Sequence, residues 1–343
     1  MGTRVTIFAG HAFVNQASRI NTFCFDNHRT LTYPFHRPAV IKLVFLRLSA
    51  DEVPMDGQYA PFDLETIIDL ALREDLGPGG DVTSRAVIEK HVRGEAVIRS
   101  KEEGIVSGGY VLSSLFRRID PDLDVQVFIN EGGRLEPGTE ICRISGALAP
   151  ILAGERTALN FLQRLSGIAS RTAHLISLVQ GTRAVLLDTR KTTPGLRALE
   201  KRAVLAGGGQ NHRFGLHDMI LIKDTHVSAC GGPGKAVSKA LAFRNSRKEA
   251  GELRIEVEVR TPAEFREAVA AGPDRIMLDN MTPGVMAGCV QYRDAEAPEV
   301  EIEASGNITE HTIRSVAETG VDFISSGGLT HSVRALDIHL VIL

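Results

Sequence analysis

The residues best suited to chemistry in this chain stand at the ends of short apolar runs in its second half. The run 185–189 closes on Thr189-Arg190-Lys191, the run 219–223 on Lys223-Asp224, and Ile255–Val259 carries Glu258. The later runs deliver Asp279-Asn280, then Ser305-Gly306-Asn307, then Ser326-Gly327-Gly328. Cations, carboxylates and glycine turns in succession are the groups that bind an organic anion, a metal ion and a phosphate. A guanidinium offers a planar fork matched to carboxylate or phosphate, and an ammonium a compact charge. Between Arg183 and His226, eight Lys and Arg stand against four Asp and Glu, a local charge of +4. The whole chain is −3, so the remainder is −7. A basic island in an acidic protein favours an anionic ligand, with Arg190, Arg213 and Lys223 as its expected contacts. Arg197, Lys201 and Arg202, on a predicted helix, read instead as solvated surface charges.

Asn211-His212-Arg213 closely follows Gly207-Gly208-Gly209, and glycine allows positive φ and close backbone approach to a ligand. His212 can donate to an anion or move a proton, and its neighbours favour a site role. His226 stays open between a site role and a structural hydrogen bond. The two Ser-Gly turns can offer backbone N–H groups and a hydroxyl to a phosphate, with a helix expected to start at Thr309 behind the first. Glu258 and Asp279 fall on neighbouring strands, where carboxylates hold sugar hydroxyls or a Mg²⁺ ion. The plainer alternative is an ion pair with Lys191 or Lys223. Glu256 lies two residues earlier and shares the face of Glu258, so position alone does not separate the two.

The elements that must place these residues are legible as a repeating unit. Six strand candidates, 185–189, 219–223, 255–259, 275–278, 300–304 and 321–325, alternate with helical or Gly/Pro-punctuated segments. Such alternation implies a parallel sheet. Polar residues at the same end of six strands in turn favour an α/β barrel over an open doubly wound sheet. Upstream, Asp63 is a predicted N-cap for a helix with an apolar face at Leu64, Ile67, Ile68, Ala71 and Leu72, stopped by Gly77. Strand-like runs at 95–99, 104–107, 125–129 and 140–144, with a helix over 110–118, suggest a small α+β domain ending near 150. A long helix over 151–180 leads into the second half. Residues 1–54 differ, holding six of the fourteen Phe and six basic against three acidic residues. They show neither helical periodicity nor clean strand alternation, and are expected to lie outside the fold. Three origins fit: translated sequence ahead of Met55, a targeting peptide, or an accessory segment.

Composition removes several function classes. Apolar residues make up 43% and charged residues 24% of 343 residues, ordinary globular usage that argues against a disordered chain. No run approaches the length of a spanning helix. The net charge gives no global field for nucleic acid, and aromatics at 5% with no Trp offer little stacking surface. Cys24, Cys142, Cys230 and Cys289 are widely spaced and form no CxxC pair. A reducing, cytoplasmic location therefore suits the chain.

At this point the text resembles a known family. Gly154-Glu155-Arg156-Thr157-Ala158-Leu159-Asn160, then Asp188-Thr189-Arg190-Lys191-Thr192-Thr193-Pro194-Gly195, resemble quinolinate phosphoribosyltransferase, also called nicotinate-nucleotide pyrophosphorylase (carboxylating). Gly207 to Gly209 with Asn211-His212-Arg213, Leu221-Ile222-Lys223-Asp224, Glu256 to Val259, Leu278-Asp279-Asn280, Glu303 to Gly306 and Gly328-Leu329-Thr330-His331 continue it in order. The resemblance implies transfer of phosphoribosyl from 5-phosphoribosyl 1-pyrophosphate to quinolinate with loss of CO₂, giving nicotinate mononucleotide in NAD biosynthesis, with Mg²⁺ as cofactor. It implies an N-terminal α/β sandwich over 55–165 and an incomplete α/β barrel over 166–330. Residues 331–343 would pack back on the first domain. It further implies a homodimer with shared sites, in which Arg156 serves the neighbouring subunit. Thr189, Arg190, Lys191, His212, Arg213 and Lys223 would line the dicarboxylate pocket, Lys191, Lys223, Glu258 and Asp279 serving catalysis. Glu258 and Asp279 would hold ribose and metal, and Ser305, Gly306, Asn307, Ser326, Gly327 and Gly328 the 5-phosphate. Asn307 departs from the Gly common at its position, but tolerates left-handed backbone. Two alternatives remain at this stage: a related phosphoribosyltransferase with another anionic substrate, and a Schiff-base barrel lyase using Lys223.

Overall fold

The computed structural model describes residues 64–246 and 253–343, with the backbone of two further strands. The chain divides into the units Met1–Arg47 and Leu48–Leu343. In the first, β1 (Ile20–Phe25) pairs antiparallel with β2 (Arg29–Pro34), Thr22 opposite Thr32. These strands were not anticipated, since their sequences alternate poorly between apolar and polar residues. The rest of the unit, and the expected N-cap at Asp63, lie outside the described residues.

The described part of the second unit opens on α1 (Leu64–Leu76), which buries Ile68 and Leu72. A short α2 (Val82–Val87) follows, capped by Asp81 accepting from the Ser84 amide. An antiparallel sheet is then built from β3 (Arg93–Ser100), β5 (Asp124–Val127) and β7 (Glu140–Ala147). Beside it, β4 (Gly104–Ile105) and β6 (Arg134–Leu135) form a separate short pair, and α3 (Gly109–Ile119) buries Val111, Leu112, Leu115 and Phe116. Each such fully buried side chain contributes about 1.5–3 kcal/mol.

The helix α4 (Leu148–Leu178) runs through the expected domain boundary near 165 without a break. Its 31 residues span roughly 46 Å at the α-helical rise. Ile151, Ala158, Leu162, Leu165 and Ala169 follow helical spacing and are buried. The C-terminal segment crosses α4 where Gly167 leaves room for the Arg334 carbonyl. It ends as β14 (Ile338–Ile342), which adds antiparallel to β3 with Leu340 opposite Ile98.

The remaining strands, β8 (Val185–Leu187), β9 (Ile220–Ile222), β10 (Ile255–Val259), β11 (Arg275–Asp279), β12 (Glu301–Ser305) and β13 (Phe323–Ser325), are all parallel, in the order β8-β13-β12-β11-β10-β9. That is chain order around a ring cut between its first and second members, an incomplete barrel. A single bridge from Leu187 to Gln210 stands in the cut. The outer helices are α5 (Arg197–Ala206), α6 (Asp224–Cys230), α7 (Pro233–Ser246), α8 (Pro262–Ala271), α9 (Pro283–Glu296) and α10 (Ile313–Ala317). The helix expected at Thr309 starts four residues later; the Thr309 amide instead bonds the Thr312 hydroxyl at 2.9 Å. Strand alternation sends Ile255, Val257 and Val259 toward the helices and Glu256 and Glu258 into the barrel. Arg275, Met277 and Asp279 on β11, and Glu301, Glu303 and Ser305 on β12, pair in the same register.

Candidate active site

A cavity of about 640 Å³ opens at the carboxyl ends of these strands. Its walls hold Thr189, Arg190, Lys191, His212, Arg213, Lys223, Glu258 and Asp279, and the turns Ser305-Gly306-Asn307 and Ser326-Gly327-Gly328. Every sequence-derived site residue meets there except Arg156, which is exposed on α4 and absent from this chain's cavity wall.

The cationic side is assembled by a buried scaffold. Asp188, at the end of β8, accepts the Lys201 ammonium at 2.6 Å and the His212 amide at 2.8 Å, while Lys201 also donates to the His212 carbonyl at 2.9 Å. Lys201 and Asp188 are fully buried, so the pair ties the His212-Arg213 segment to the barrel. This corrects the reading of three helix charges as solvated. Arg197 donates to the Phe214 carbonyl at 3.0 Å, and Arg202 lies 3.9 Å over the Tyr110 ring. Burial and the neighbouring Arg190 charge hold Arg213 below its usual range. Arg190 Nε is buried without a hydrogen-bond partner among the described residues. Two crowded guanidiniums, one with an unused donor, are matched to a planar anion. Gly207 has a different use from the one expected: it gives α5 close passage against Ala169 and Thr172 of α4, away from the cavity.

Beneath the floor, His212 Nε2 lies 3.1 Å from Glu256 and 3.4 Å from Glu303, which also pairs with Arg275 at 3.0 Å. The Arg213 amide donates to His212 Nδ1 at 2.7 Å, leaving Nε2 as the protonated nitrogen. Burial opposes a second proton, but the two carboxylates outweigh it and push the imidazolium up to about 10; that proton would have to displace the Arg213 amide. Glu256 is fully buried in this lower layer, whereas Glu258 lines the cavity. Their shared face thus divides by depth, and Glu258 is the carboxylate available to a ligand. His226 Nδ1 accepts the Lys223 amide at 2.9 Å, a capping contact outside the cavity wall.

The carboxylate side carries Glu258, 3.1 Å from Lys223, and Asp279, 3.2 Å from Arg260. The ion pair with Lys223 is therefore present, and it sits at the cavity wall. Glu258, Asp279 and Asp224 present oxygen donors on adjacent strand ends, and one or two carboxylates suffice for a Mg²⁺ ion that keeps its waters. Among the described residues the one trio of ligand atoms within 4.8 Å of one another is His212, Glu256 and Glu303, in the buried layer below. At the turns after β11 and β12, Asn280 and Asn307 adopt φ 56 and 53, and Asn307 Nδ2 donates to Asn280 Oδ1 at 3.0 Å. Gly306, at φ 91, must be glycine, because a Cβ would strike the Asn280 amide. Asn307 thus ties the β12 turn to the β11 turn.

Some participants escaped the sequence reading. Arg164 of α4 donates to fully buried Glu200 at 2.7 Å, to the Thr193 hydroxyl at 2.7 Å and to the Thr330 carbonyl at 3.1 Å. Thr330 in turn donates to the Lys191 carbonyl at 2.7 Å. One hydrogen-bond network therefore couples the cationic loop after β8 to the glycine turn after β13. Arg260 and His331 also line the cavity. Arg260 directly follows β10, so the strand-end rule used for the others would have found it.

Comparison with known proteins agrees with this geometry. Residues 81–166 match the family "Quinolinate phosphoribosyl transferase, N-terminal domain", and residues 168–341 its C-terminal domain. The chain is 42% identical over 293 residues to "Quinolinate phosphoribosyltransferase [decarboxylating] 2a, mitochondrial" of Nicotiana tabacum, covering 82% of each. It is 42% identical over 278 residues to "Probable nicotinate-nucleotide pyrophosphorylase [carboxylating]" of Bacillus subtilis, covering 81% of this chain and 92% of that one. The solved nicotinate-nucleotide pyrophosphorylase from Francisella tularensis superposes with a TM-score of 0.76 at 34% identity, over 83% of this chain and 98% of that one. With both domains matched and the strand-end cavity in the expected register, the chain belongs to the quinolinate phosphoribosyltransferase family.

Proposed function

We propose that this chain transfers phosphoribosyl from 5-phosphoribosyl 1-pyrophosphate to quinolinate with decarboxylation, forming nicotinate mononucleotide, pyrophosphate and CO₂. The observation that carries this reading is the division of one cavity into a cationic wall and a carboxylate wall flanked by glycine turns. Arg190, Lys191, Arg213 and Lys223 bind and orient the dicarboxylate; Thr189 borders them. His212 holds the Arg213 amide and so shapes that wall. Ser305, Gly306, Asn307, Ser326, Gly327 and Gly328 receive the 5-phosphate.

Glu258 and Asp279 would hold the ribose hydroxyls and a Mg²⁺ ion, which when bound would stabilise charge on the departing pyrophosphate. As the C1–O bond breaks, positive charge grows on the anomeric carbon, and the same carboxylates stabilise it electrostatically. The pyridine nitrogen, aligned by its two carboxylates, then attacks that carbon. The ring nitrogen becomes cationic and stabilises the electron pair that stays on the adjacent carbon when its carboxylate leaves as CO₂; that carbon then takes a proton from water. Lys223 acts as a charge in this scheme. It is 47% exposed and paired with Glu258, unlike the desolvated amine of a Schiff-base enzyme.

We assign the working unit as a homodimer in which Arg156 reaches the partner's cavity, because it is exposed on α4 and belongs to none of this chain's own walls. No helix among the described residues is long and apolar enough to cross a membrane. A cytoplasmic placement is proposed from the free thiols Cys142, Cys230 and Cys289; two of the relatives are named mitochondrial and chloroplastic.

Titration calorimetry tests the assignment of the two walls. Arg190→Ala or Lys223→Ala should weaken quinolinate by about 2–5 kcal/mol, the cost of leaving a buried carboxylate short of a partner. Binding of the ribosyl donor should change far less. Equal weakening of both ligands would contradict the division of the cavity. Nicotinate, lacking one carboxylate, should be used on the order of 10⁴-fold less efficiently.

A further inference from the structure

Arg260 lines the cavity yet has no part in the scheme above. Its side chain is 58% exposed; Nη2 donates to Asp224 at 2.8 Å and Nε to Asp279 Oδ2 at 3.2 Å. The other Asp279 oxygen, Oδ1, accepts the Asn280 amide at 2.9 Å. Both oxygens of this metal-binding candidate are therefore engaged, one of them by a cation with freedom to move. The backbone beneath that cation is fixed independently. The Arg260 amide donates to Glu264 Oε2 at 2.7 Å, next to Thr261, the N-cap of α8. The guanidinium can thus change partners without disturbing β10.

A divalent ion is smaller and carries twice the charge, so it outcompetes an exposed guanidinium for one carboxylate. The released Arg then stands beside the diphosphate that arrives with the metal, and its planar fork can bind two phosphate oxygens. We propose that Arg260 is an exchangeable counter-ion. Before substrate binds it neutralises Asp224 and Asp279; when divalent metal takes Asp279, it turns onto the pyrophosphate group of the ribosyl donor. This rests on the phosphoribosyl-transfer reading and adds to it a specificity residue for the diphosphate.

The test uses the full chain and two binding measurements, neither of which requires turnover. Mn²⁺ binding without substrate is read by electron paramagnetic resonance, and binding of the Mg²⁺–pyrophosphate complex by calorimetry. Arg260→Ala should bind Mn²⁺ about three- to fivefold more tightly, because a competitor is gone, and Mg²⁺–pyrophosphate about three- to fivefold more weakly. Arg260→Lys, a charge without the fork, should fall between wild type and Ala in both. Opposite signs separate this role from a structural one, since local damage weakens both. Weakening of both ligands, or no change in either, overturns the proposal. Wild-type protein that binds neither probe would instead overturn the metal-assisted reading, and this proposal with it.

Discussion

Replacing Lys201 with methionine should destabilise the protein by about 3–5 kcal/mol, the usual cost of removing one partner from a buried ion pair. Lys201 and Asp188 are both 0% exposed. Without the ammonium, Asp188 would keep the His212 amide but lose its nearest positive charge. Burial already raises the Asp188 carboxyl to about 6 with Lys201 in place. A raised carboxyl contributes stability that is complete below its unfolded value near 4 and is lost as pH rises through the folded value. Loss of Lys201 raises that value further, so the deficit of Lys201→Met should be larger at pH 8 than at pH 5. Denaturant unfolding at the two pH values checks this. The double variant Lys201→Met with Asp188→Asn, which leaves no buried charge, should recover part of the loss. A deficit below about 1 kcal/mol, or one that grows toward low pH, would show that the pair does not anchor the cationic wall.

A second large effect is expected from mixing inactive subunits. Arg156→Ala and Lys223→Ala homodimers should each be nearly inactive, since every site carries a lesion. In a mixed dimer with shared sites, two-fold symmetry places both lesions in one site and leaves the other intact. Random co-assembly makes half the dimers mixed, so about a quarter of wild-type activity should return. Activity that stays at the homodimer level, with mixed dimers verified by native mass spectrometry, would return Arg156 to its own subunit or to a surface role.

The cavity was largely legible because its residues obey two simple rules. Strand alternation puts Glu258, Asp279 and Ser305 on the inner face, and their place at strand ends puts them at the mouth. The closure of the barrel was harder to read, since β8 and β9 have only three residues each and do not pair with one another, a bridge from Leu187 to Gln210 lying beside β8 instead. The scaffold beneath was illegible for a physical reason. Glu200 and Lys201 are buried charges inside a helix whose residues are all buried or half-buried, and amphipathic pattern reading assigns such charges to solvent. Their partners, Arg164 and Asp188, lie 36 and 13 residues away, and only the tertiary fold brings them together. Gly207 was misread similarly: a glycine beside site residues suggests a ligand, but its close neighbour is α4. Glu256 and Glu258 share a face in sequence, and only the depth of the barrel tells them apart.

The most direct measurement supplies the purified chain with Mg²⁺, 5-phosphoribosyl 1-pyrophosphate and quinolinate labelled in the carboxylate next to the ring nitrogen. The account predicts labelled CO₂, pyrophosphate and nicotinate mononucleotide in equal amounts, with none formed when any component is omitted. Pyrophosphate released without labelled CO₂, or a nucleotide that retains the label, would contradict it.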